Sequence, residues 1–274
     1  MALCPWNTRA LDTMGKQRMA AVGCGRRQAS RRKLTRSDNW EIVRQRLLRR
    51  RICDLDLRLN GSPLEPFIRQ LQRELSAKGL DYAPAFYLTD VWGCPDRVPA
   101  IGIPFYLADT ALGRIEQEQT GELEDSRTVM QLLRHETGHA INYAFRLWED
   151  PNWRATFGRF SQPYREVFHP NPWSRRFVRH IRSCPNGCTY AQKHPDDDFA
   201  ETFAVWLTPR SGWRRKYRGW PAIRKLRYVD RLMRKLCGRR PQCKGGKLVE
   251  PVSELTMPLA DYYRRRIKGY SQTA

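Results

Sequence analysis

Two histidines and one glutamate have a spacing that suits metal-assisted hydrolysis. His135, Glu136 and His139 form the pattern HExxH within the segment RHETGHA at 134–140. Imidazoles four residues apart lie on one face of a helix, so both can bind one zinc ion. Glu136 projects from the same turn and can accept a proton from a water molecule that the ion has acidified. The pattern therefore predicts one catalytic zinc ion held by His135 and His139, with Glu136 as general base.

The competing interpretation of this motif is a pair of histidines on a helix surface. It is disfavoured because apolar residues recur at spacings of three and four around the motif, which predicts an amphipathic helix from Ser126 to Trp148 that Pro151 ends. Gly138 lies inside this helix, where glycine costs about 1 kcal/mol relative to alanine. We expect Gly138 to leave room for substrate or for a second helix.

A catalytic zinc ion needs a third protein ligand and an open position. A third histidine does not follow at metzincin spacing, because Asn142 and Phe145 stand where that pattern has Gly and His. The segment HPDDDFAETFAVWLTP at 194–209 predicts a buried helix over Asp197–Leu207. Glu201 lies inside this apolar helix, and a buried carboxylate is costly unless it is paired or bound to metal. We therefore expect Glu201 to be the third ligand.

Other polar residues around this second helix have two interpretations each. Asp197 and Asp198 either complement the helix dipole from the first turn or orient a histidine ligand. Peptide hydrolysis develops an oxyanion, so a hydrogen-bond donor besides zinc is expected. Tyr190 and His194 precede the helix and are the candidate catalytic donors. The alternatives are loop packing for Tyr190 and a surface position for His194.

Three segments carry a resemblance to a known family: IGIPFYLAD at 101–109, LRHETGHAI at 133–141 and the segment at 194–209. They resemble bacterial zinc-binding metallopeptidases, which are similar to gluzincins, the zincins whose third ligand is a helical glutamate. The resemblance extends over residues 39–240 and implies zinc at His135, His139 and Glu201. It departs from the thermolysin-like subgroup, which has an acidic residue four positions after the ligand, where this chain has Val205.

The helices and strands that must position these residues are those of an α+β, zincin-like domain, which is the predicted fold. It is mainly helical, with a small mixed sheet that carries an edge strand beside the active-site helix. Strands are expected at 85–88 and 100–107, and the second could pair with an extended substrate or be an ordinary core strand. Further helices are expected at 39–54, 66–78, 109–124, 221–236 and 256–267, and residues 150–195 are expected to be irregular.

The charge divides the chain into parts. The net charge of +22 comprises +7 over residues 1–38, zero over 39–208, +12 over 209–240 and +3 over the remainder. We expect 1–38 to be a basic, disordered extension, 39–240 to be the catalytic domain and 241–274 to be a tail with a helix packed on that domain. The region 209–240 could contact nucleic acid or another polyanion. For the stretch from Trp213 to Trp220 within it, the alternative that we favour is a helix–loop unit whose aromatic residues pack inward and whose arginines are solvated.

The remaining sequence features bound the location and the alternatives. No apolar stretch approaches the roughly 20 residues of a membrane helix, and no secretory signal is evident, so we expect no membrane contact and a bacterial cytoplasmic protein. The eight cysteines predict reduced thiols rather than disulfides, although Cys184, Cys188, Cys237 and Cys243 could form a second zinc site. The sequence favours a zinc metallopeptidase acting on peptides. The alternatives are a nucleic-acid-associated protein with a structural zinc and a hydrolase of non-peptide amides.

Overall fold

The computed structural model describes residues 36–164, 169–181 and 190–273. Over these residues the chain is mainly helical with a small two-stranded sheet, which confirms the predicted α+β class. The elements in chain order are α1 (Arg36–Arg49), α2 (Glu65–Ala77), β1 (Ala85–Thr89), β2 (Ala100–Pro104), α3 (Thr110–Thr120), α4 (Ser126–Ala144), α5 (Pro151–Phe157), α6 (Pro195–Leu207), α7 (Trp213–Lys216), α8 (Ala222–Leu236) and α9 (Leu259–Thr273).

Helix α4 carries the HExxH segment through the centre of the domain. Asp125 caps its N-terminus by accepting a hydrogen bond from the Thr128 backbone at 2.7 Å. The helix ends at Ala144 rather than at the predicted Trp148, because Arg146 adopts a left-handed conformation with a φ of 51°. Pro151 does not end this helix as predicted. It begins α5, at the position where a missing backbone N–H costs nothing.

Helix α6 is buried along its whole length and crosses α4 at very short range. A Cβ atom added at Gly138 would lie 2.6 Å from the Cα atom of Ala200. The room left by Gly138 is therefore filled by a second helix. Because the two backbones meet at this point, side chains from the first turn of α6 can reach the histidines of α4.

The sheet differs in detail from the prediction. Strands β1 and β2 pair in parallel, with Ala85 opposite Ala100. Strand β2 ends at Pro104 and a 3-10 turn follows, so the expected strand to residue 107 is three residues too long. On the other edge of β2, the Gly102 N–H donates to the Gly93 carbonyl at 2.8 Å, and the Gly93 N–H donates back at 3.3 Å. Strand β2 is thus a buried core strand whose outer edge is already bridged, which disfavours substrate pairing there.

The flanking regions pack onto this centre. The tail returns to the domain, since the Gln242 and Cys243 backbones donate to the Ala144 carbonyl and Arg266 pairs with Glu116. Most of the extension predicted at 1–38 lies outside the described residues, and the domain boundaries stay predictions. No helix in the described part of the chain is long and apolar enough to span a membrane. The expected cytoplasmic location stays a prediction.

The cysteines give no second metal site among the described residues. Cys53, Cys94, Cys237 and Cys243 are unpaired thiols, and none belongs to a metal-binding cluster in the ranges that the structure describes. Cys184 and Cys188, which the alternative zinc site requires, lie outside those ranges.

Candidate metal centre

Three electron-pair donors converge between α4 and α6. The Nε2 atoms of His135 and His139 lie 3.0 Å apart. Oδ1 of Asp197 lies 3.7 Å from the first and 3.6 Å from the second. Ligands held at 2.0–2.1 Å from one ion at tetrahedral angles are roughly 3.3 Å apart, so the three distances bracket the spacing that a zinc ion requires.

The third member of this cluster differs from the expected one. Glu201 lies on the opposite side of His135, where its Oε1 accepts from Nδ1 at 2.9 Å. Its other oxygen accepts from the backbones of Ile181 at 2.9 Å and His180 at 3.3 Å. Both oxygens of Glu201 are thus engaged away from the Nε2 atoms, where the nearby carboxylate is that of Asp197, and the ligand role of Glu201 stays a prediction.

The second histidine is oriented in the same way by an acid that the sequence analysis did not single out. Oδ2 of Asp196 accepts from His139 Nδ1 at 2.8 Å and from the Tyr143 hydroxyl at 2.6 Å. Its Oδ1 accepts from the Asn142 amide at 2.6 Å. Because a carboxylate accepts at each Nδ1, both Nε2 lone pairs point toward Asp197.

Burial makes the unpartnered carboxylates of this arrangement costly. His135, Glu136 and Asp197 are at most 1% exposed, and His139 is 5% exposed. Both carboxylate oxygens of Asp197 and of Glu136 are buried without a hydrogen-bond partner among the described residues. Unpaired buried carboxylates are costly, and a divalent cation between Asp197 and the imidazoles would remove that cost. The donor set of two imidazoles and one carboxylate is one that zinc accepts.

The electrostatics of the cluster favour positive charge at its centre. Burial lowers the pKa of His135, but the carboxylates of Asp197 and Glu201 outweigh this and raise it to about 9. Burial also opposes protonation of His139, and Asp196 reverses the direction to a raised pKa. Burial raises the pKa of Glu136, while the two histidines act in the opposite direction. The carboxylates that raise these pKa values would also attract a metal cation.

The two predicted oxyanion donors lie in different environments. Asp196 N donates to Nδ1 of His194 at 3.1 Å, and Nε2 of His194 contacts the Gln162 carbonyl at 2.7 Å. His194 therefore caps α6, and both of its ring nitrogens are engaged, so it is not positioned as a catalytic donor. Tyr190 is buried beside a metal-site imidazole, with 5.7 Å between its ring centre and that of His135.

One further residue at this site was missed from the sequence. Lys193 is only 6% exposed, and its ammonium donates to the Tyr190 hydroxyl oxygen at 3.2 Å. No carboxylate lies within ion-pair distance of it in the part of the chain that the structure describes. The signal available was position alone, because Lys193 lies two residues before α6, the helix that carries Asp197.

Comparison with known proteins adds one finding. Residues 101–212 match the family model described as "Putative zinc-binding metallo-peptidase". The match includes α4, with the HExxH segment, and α6, with Asp197 and Glu201. Comparison with curated proteins and with solved structures gave no significant match.

Proposed function

We propose that the chain is a member of the zinc-binding metallopeptidase family whose model matches residues 101–212, and that it hydrolyses peptide bonds with a single zinc ion held by His135, His139 and Asp197. The observation that carries the proposal is the convergence of three buried ligand atoms at 3.0–3.7 Å. Glu136 lies on the same helix turn, and its charge is coupled to all three ligands.

Each residue has a separate task in this proposal. Zinc, when bound, supplies a Lewis acid that acidifies water and polarises a carbonyl. Glu136 accepts the proton of the attacking water and returns it to the leaving amine. Its two oxygens have no hydrogen-bond partner within the described ranges, which supports this role because a base must be able to receive a proton.

Asp196 and Glu201 keep the two imidazoles in position. Each accepts a hydrogen bond from an Nδ1 atom, which fixes the tautomer and the ring orientation of His139 and His135. Asp196 is itself held by Asn142 and Tyr143. Glu201 thus keeps a role at the metal centre, although not the predicted role of ligand.

Tyr190 is the donor that we propose for the developing oxyanion. It lies beside His135, and the Lys193 ammonium donates to its hydroxyl oxygen, which strengthens the hydroxyl as a donor. An ammonium buried without a carboxylate partner is costly, and that cost is reduced when negative charge develops nearby during the reaction.

The proposal is tested by separating metal binding from catalysis. We expect Glu136→Gln to retain one zinc per chain and to lose cleavage of a proteome-derived peptide library. Glu149→Gln, at an exposed glutamate, is the matched control. Zinc content is measured by elemental analysis and cleavage by mass spectrometry. Full activity of Glu136→Gln would refute the assigned base.

The same screen distinguishes the alternative substrate class. A panel of non-peptide amides is incubated with the wild-type protein in parallel with the peptide library. Hydrolysis of the amides alone would refute the peptidase assignment, while dependence on Glu136 would still identify a zinc hydrolase.

A further inference from the structure

The exposed face of α8 is a row of cations. Five basic residues on this helix are exposed: Arg224, Arg227, Arg231, Arg234 and Lys235. At 100° per residue they fall within an arc of about 100° on the helix surface, and they span about 16 Å of its length. We refer to these five residues as the α8 stripe.

Burial of the opposite face fixes the direction in which the stripe points. Ala222, Leu226, Val229, Met233 and Leu236 are buried in the core. Lys225 is the basic residue of α8 that turns inward, where it pairs with Asp198 of α6. The helix is therefore anchored on one side, and the stripe is presented to solvent on a rigid element.

The stripe has little negative charge to neutralise it. Asp230 is the one acidic residue of α8, and it pairs with Arg234 at 2.9 Å and with Arg214 of α7 at 3.0 Å. Within the described ranges, no carboxylate lies within 4.0 Å of the other four stripe residues. The shared contact at Asp230 also brings the exposed cations of α7 beside the stripe.

We propose that the α8 stripe binds the phosphate backbone of double-stranded nucleic acid. A duplex carries one negative charge per about 1.7 Å of its axis, so a straight row of cations about 16 Å long faces several phosphates at once. Binding of this kind is independent of sequence and is driven by release of counterions.

Two features disfavour other polyanionic partners. Trp213 and Tyr217, which could stack on the bases of a single strand, are 4% and 0% exposed. The large exposed apolar side chains among the described residues are Ile42, Leu123, Trp173 and Ile267, and none lies on α7 or α8. A helix that binds a membrane surface inserts an apolar face, and α8 has already buried its apolar face in the core.

The test compares two full-length variants with the same loss of charge. The first carries Arg224→Gln, Arg227→Gln, Arg231→Gln and Lys235→Gln. The control carries glutamine at four exposed arginines of α1 and α2, namely Arg46, Arg49, Arg69 and Arg73. Binding to a labelled 24-base-pair DNA duplex is measured by fluorescence anisotropy between 50 and 300 mM salt.

We expect the stripe variant to bind more than about tenfold more weakly than the control at 100 mM salt. Each lost phosphate contact removes about 0.9 from the slope of log affinity against log salt, so its slope should be shallower by roughly 3 to 4. A third variant with lysine in place of Arg224, Arg227 and Arg231 should bind like the wild type. Its charge is conserved, and zinc content and unfolding midpoint check that each variant is folded.

Three outcomes would overturn the proposal. Equal losses in the stripe variant and the control would mean that net charge alone attracts the duplex. An unchanged affinity of the folded stripe variant would mean that the duplex binds elsewhere. Binding to phosphatidylserine vesicles, or to the corresponding single strand, at lower protein concentration than to the duplex would identify a different partner. None of these outcomes depends on peptidase activity.

Discussion

Helices α6 and α8 are in contact, and they treat charge in opposite ways. Four carboxylates of α6, those of Asp196, Asp197, Asp198 and Glu201, are at most 1% exposed. The cations of α8 point into solvent, with Lys225 as the exception. Moving an ion out of water costs several kcal/mol, so each acid of α6 needs its own specific partner. Exposed cations need none, and they act at long range and without fixed geometry.

This difference makes the role of each buried acid readable from its contacts. Asp196 and Glu201 each accept from an imidazole Nδ1, and Asp198 pairs with Lys225. In the part of the chain that the structure describes, Asp197 has no hydrogen-bond donor and faces two Nε2 atoms instead. Among the four acids it alone has an environment that a metal ion would complete, which is the reason for proposing it as the ligand.

The largest expected effect is on zinc affinity, which should fall further when Asp197 is replaced than when Glu201 is replaced. Loss of an orienting partner weakens a metal site by roughly 10–100-fold, so Glu201→Gln should fall in that range. Asp197→Ala removes a direct ligand and should weaken zinc binding by more than about 100-fold. Competition against a chromophoric chelator measures both affinities.

The control for this ranking is Asp96→Ala, at an exposed loop aspartate, which should leave zinc affinity unchanged. If Glu201→Gln bound zinc more weakly than Asp197→Ala, the ligand role would instead belong to Glu201, as the sequence predicted. That result would also break the distinction between ligand and orienting acid that the contacts support.

The next largest effect is on stability, and it compares the loss of a cation paired with a buried acid of α6 with the loss of an exposed cation of α8. Lys225→Met leaves the Asp198 carboxylate buried without its partner, which should lower the free energy of unfolding by about 3–5 kcal/mol. Arg231→Met on the exposed face of the same helix should change it by less than about 0.5 kcal/mol. Urea denaturation measures both, and similar losses would contradict the contrast between α6 and α8.

A smaller effect tests the contact that brings α6 to the histidines. Gly138→Ala should destabilise the protein by about 1–3 kcal/mol, because its Cβ would lie 2.6 Å from Ala200 Cα and the helices must separate. It should also weaken zinc binding, since the same separation moves Asp197 away from both imidazoles.

Gly113→Ala in α3 is the matched control for this substitution. Its Cβ would meet the Leu123 side chain and the Tyr106 carbonyl at 3.6 Å, which is an ordinary contact distance. The substitution should therefore stabilise the protein by about 0.5–1 kcal/mol through helix propensity alone. A destabilised Gly113→Ala would show that helix propensity does not govern such sites here.

The sequence predicted the helices whose boundaries are set by local signals. Helices α2, α6 and α8 begin and end within two residues of the predicted positions, because their apolar spacing and their bounding Pro and Gly residues are local signals. Helix α5 was not predicted, since it has only a few residues and too short a pattern, whereas α7 lies within the helix–loop unit expected at 213–220. The end of α4 was missed because a left-handed Arg146 has no clear sequence signature.

The third ligand could not be chosen from the sequence for a geometric reason. Asp197 and Glu201 are one helical turn apart, so both lie on the face of α6 that meets α4. Burial of Glu201 was predicted and is observed at 0% exposure. Which acid meets Nε2 and which meets Nδ1 depends on how the helices cross at Gly138 and Ala200, and that is a tertiary property.

The way in which α4 and α6 cross changes how the sequence aligns with the thermolysin-like pattern of a ligand followed by an acid four positions later. If Glu201 is the ligand, the acid expected four positions later is missing, because Val205 occupies that position. With Asp197 as ligand, the acid four positions later is Glu201, and it contacts the first histidine of the motif. The proposed ligand Asp197 would therefore place the subgroup's pattern one helical turn earlier in the sequence.

A buried acid far from the metal centre tests whether the cost of burial applies generally. Glu116 of α3 is 2% exposed and pairs with Arg266 of α9 at 3.0 Å. Tyr263, Thr120 and Glu124 also face its carboxylate. Burial outweighs the attraction of Arg266 and raises the pKa of Glu116 from 4.5 to about 7.

The smallest expected effect follows from this shift. Between about pH 4.5 and pH 7 the folded protein keeps a proton on Glu116 that the unfolded chain has lost, so this residue contributes less stability as the pH rises. Glu116→Gln cannot titrate, and the stability of the wild type relative to this variant should fall by about 1–2 kcal/mol from pH 5 to pH 8. Urea denaturation of both proteins at the two pH values measures the difference. A difference that stays constant would mean that Arg266 fully compensates the burial of this acid.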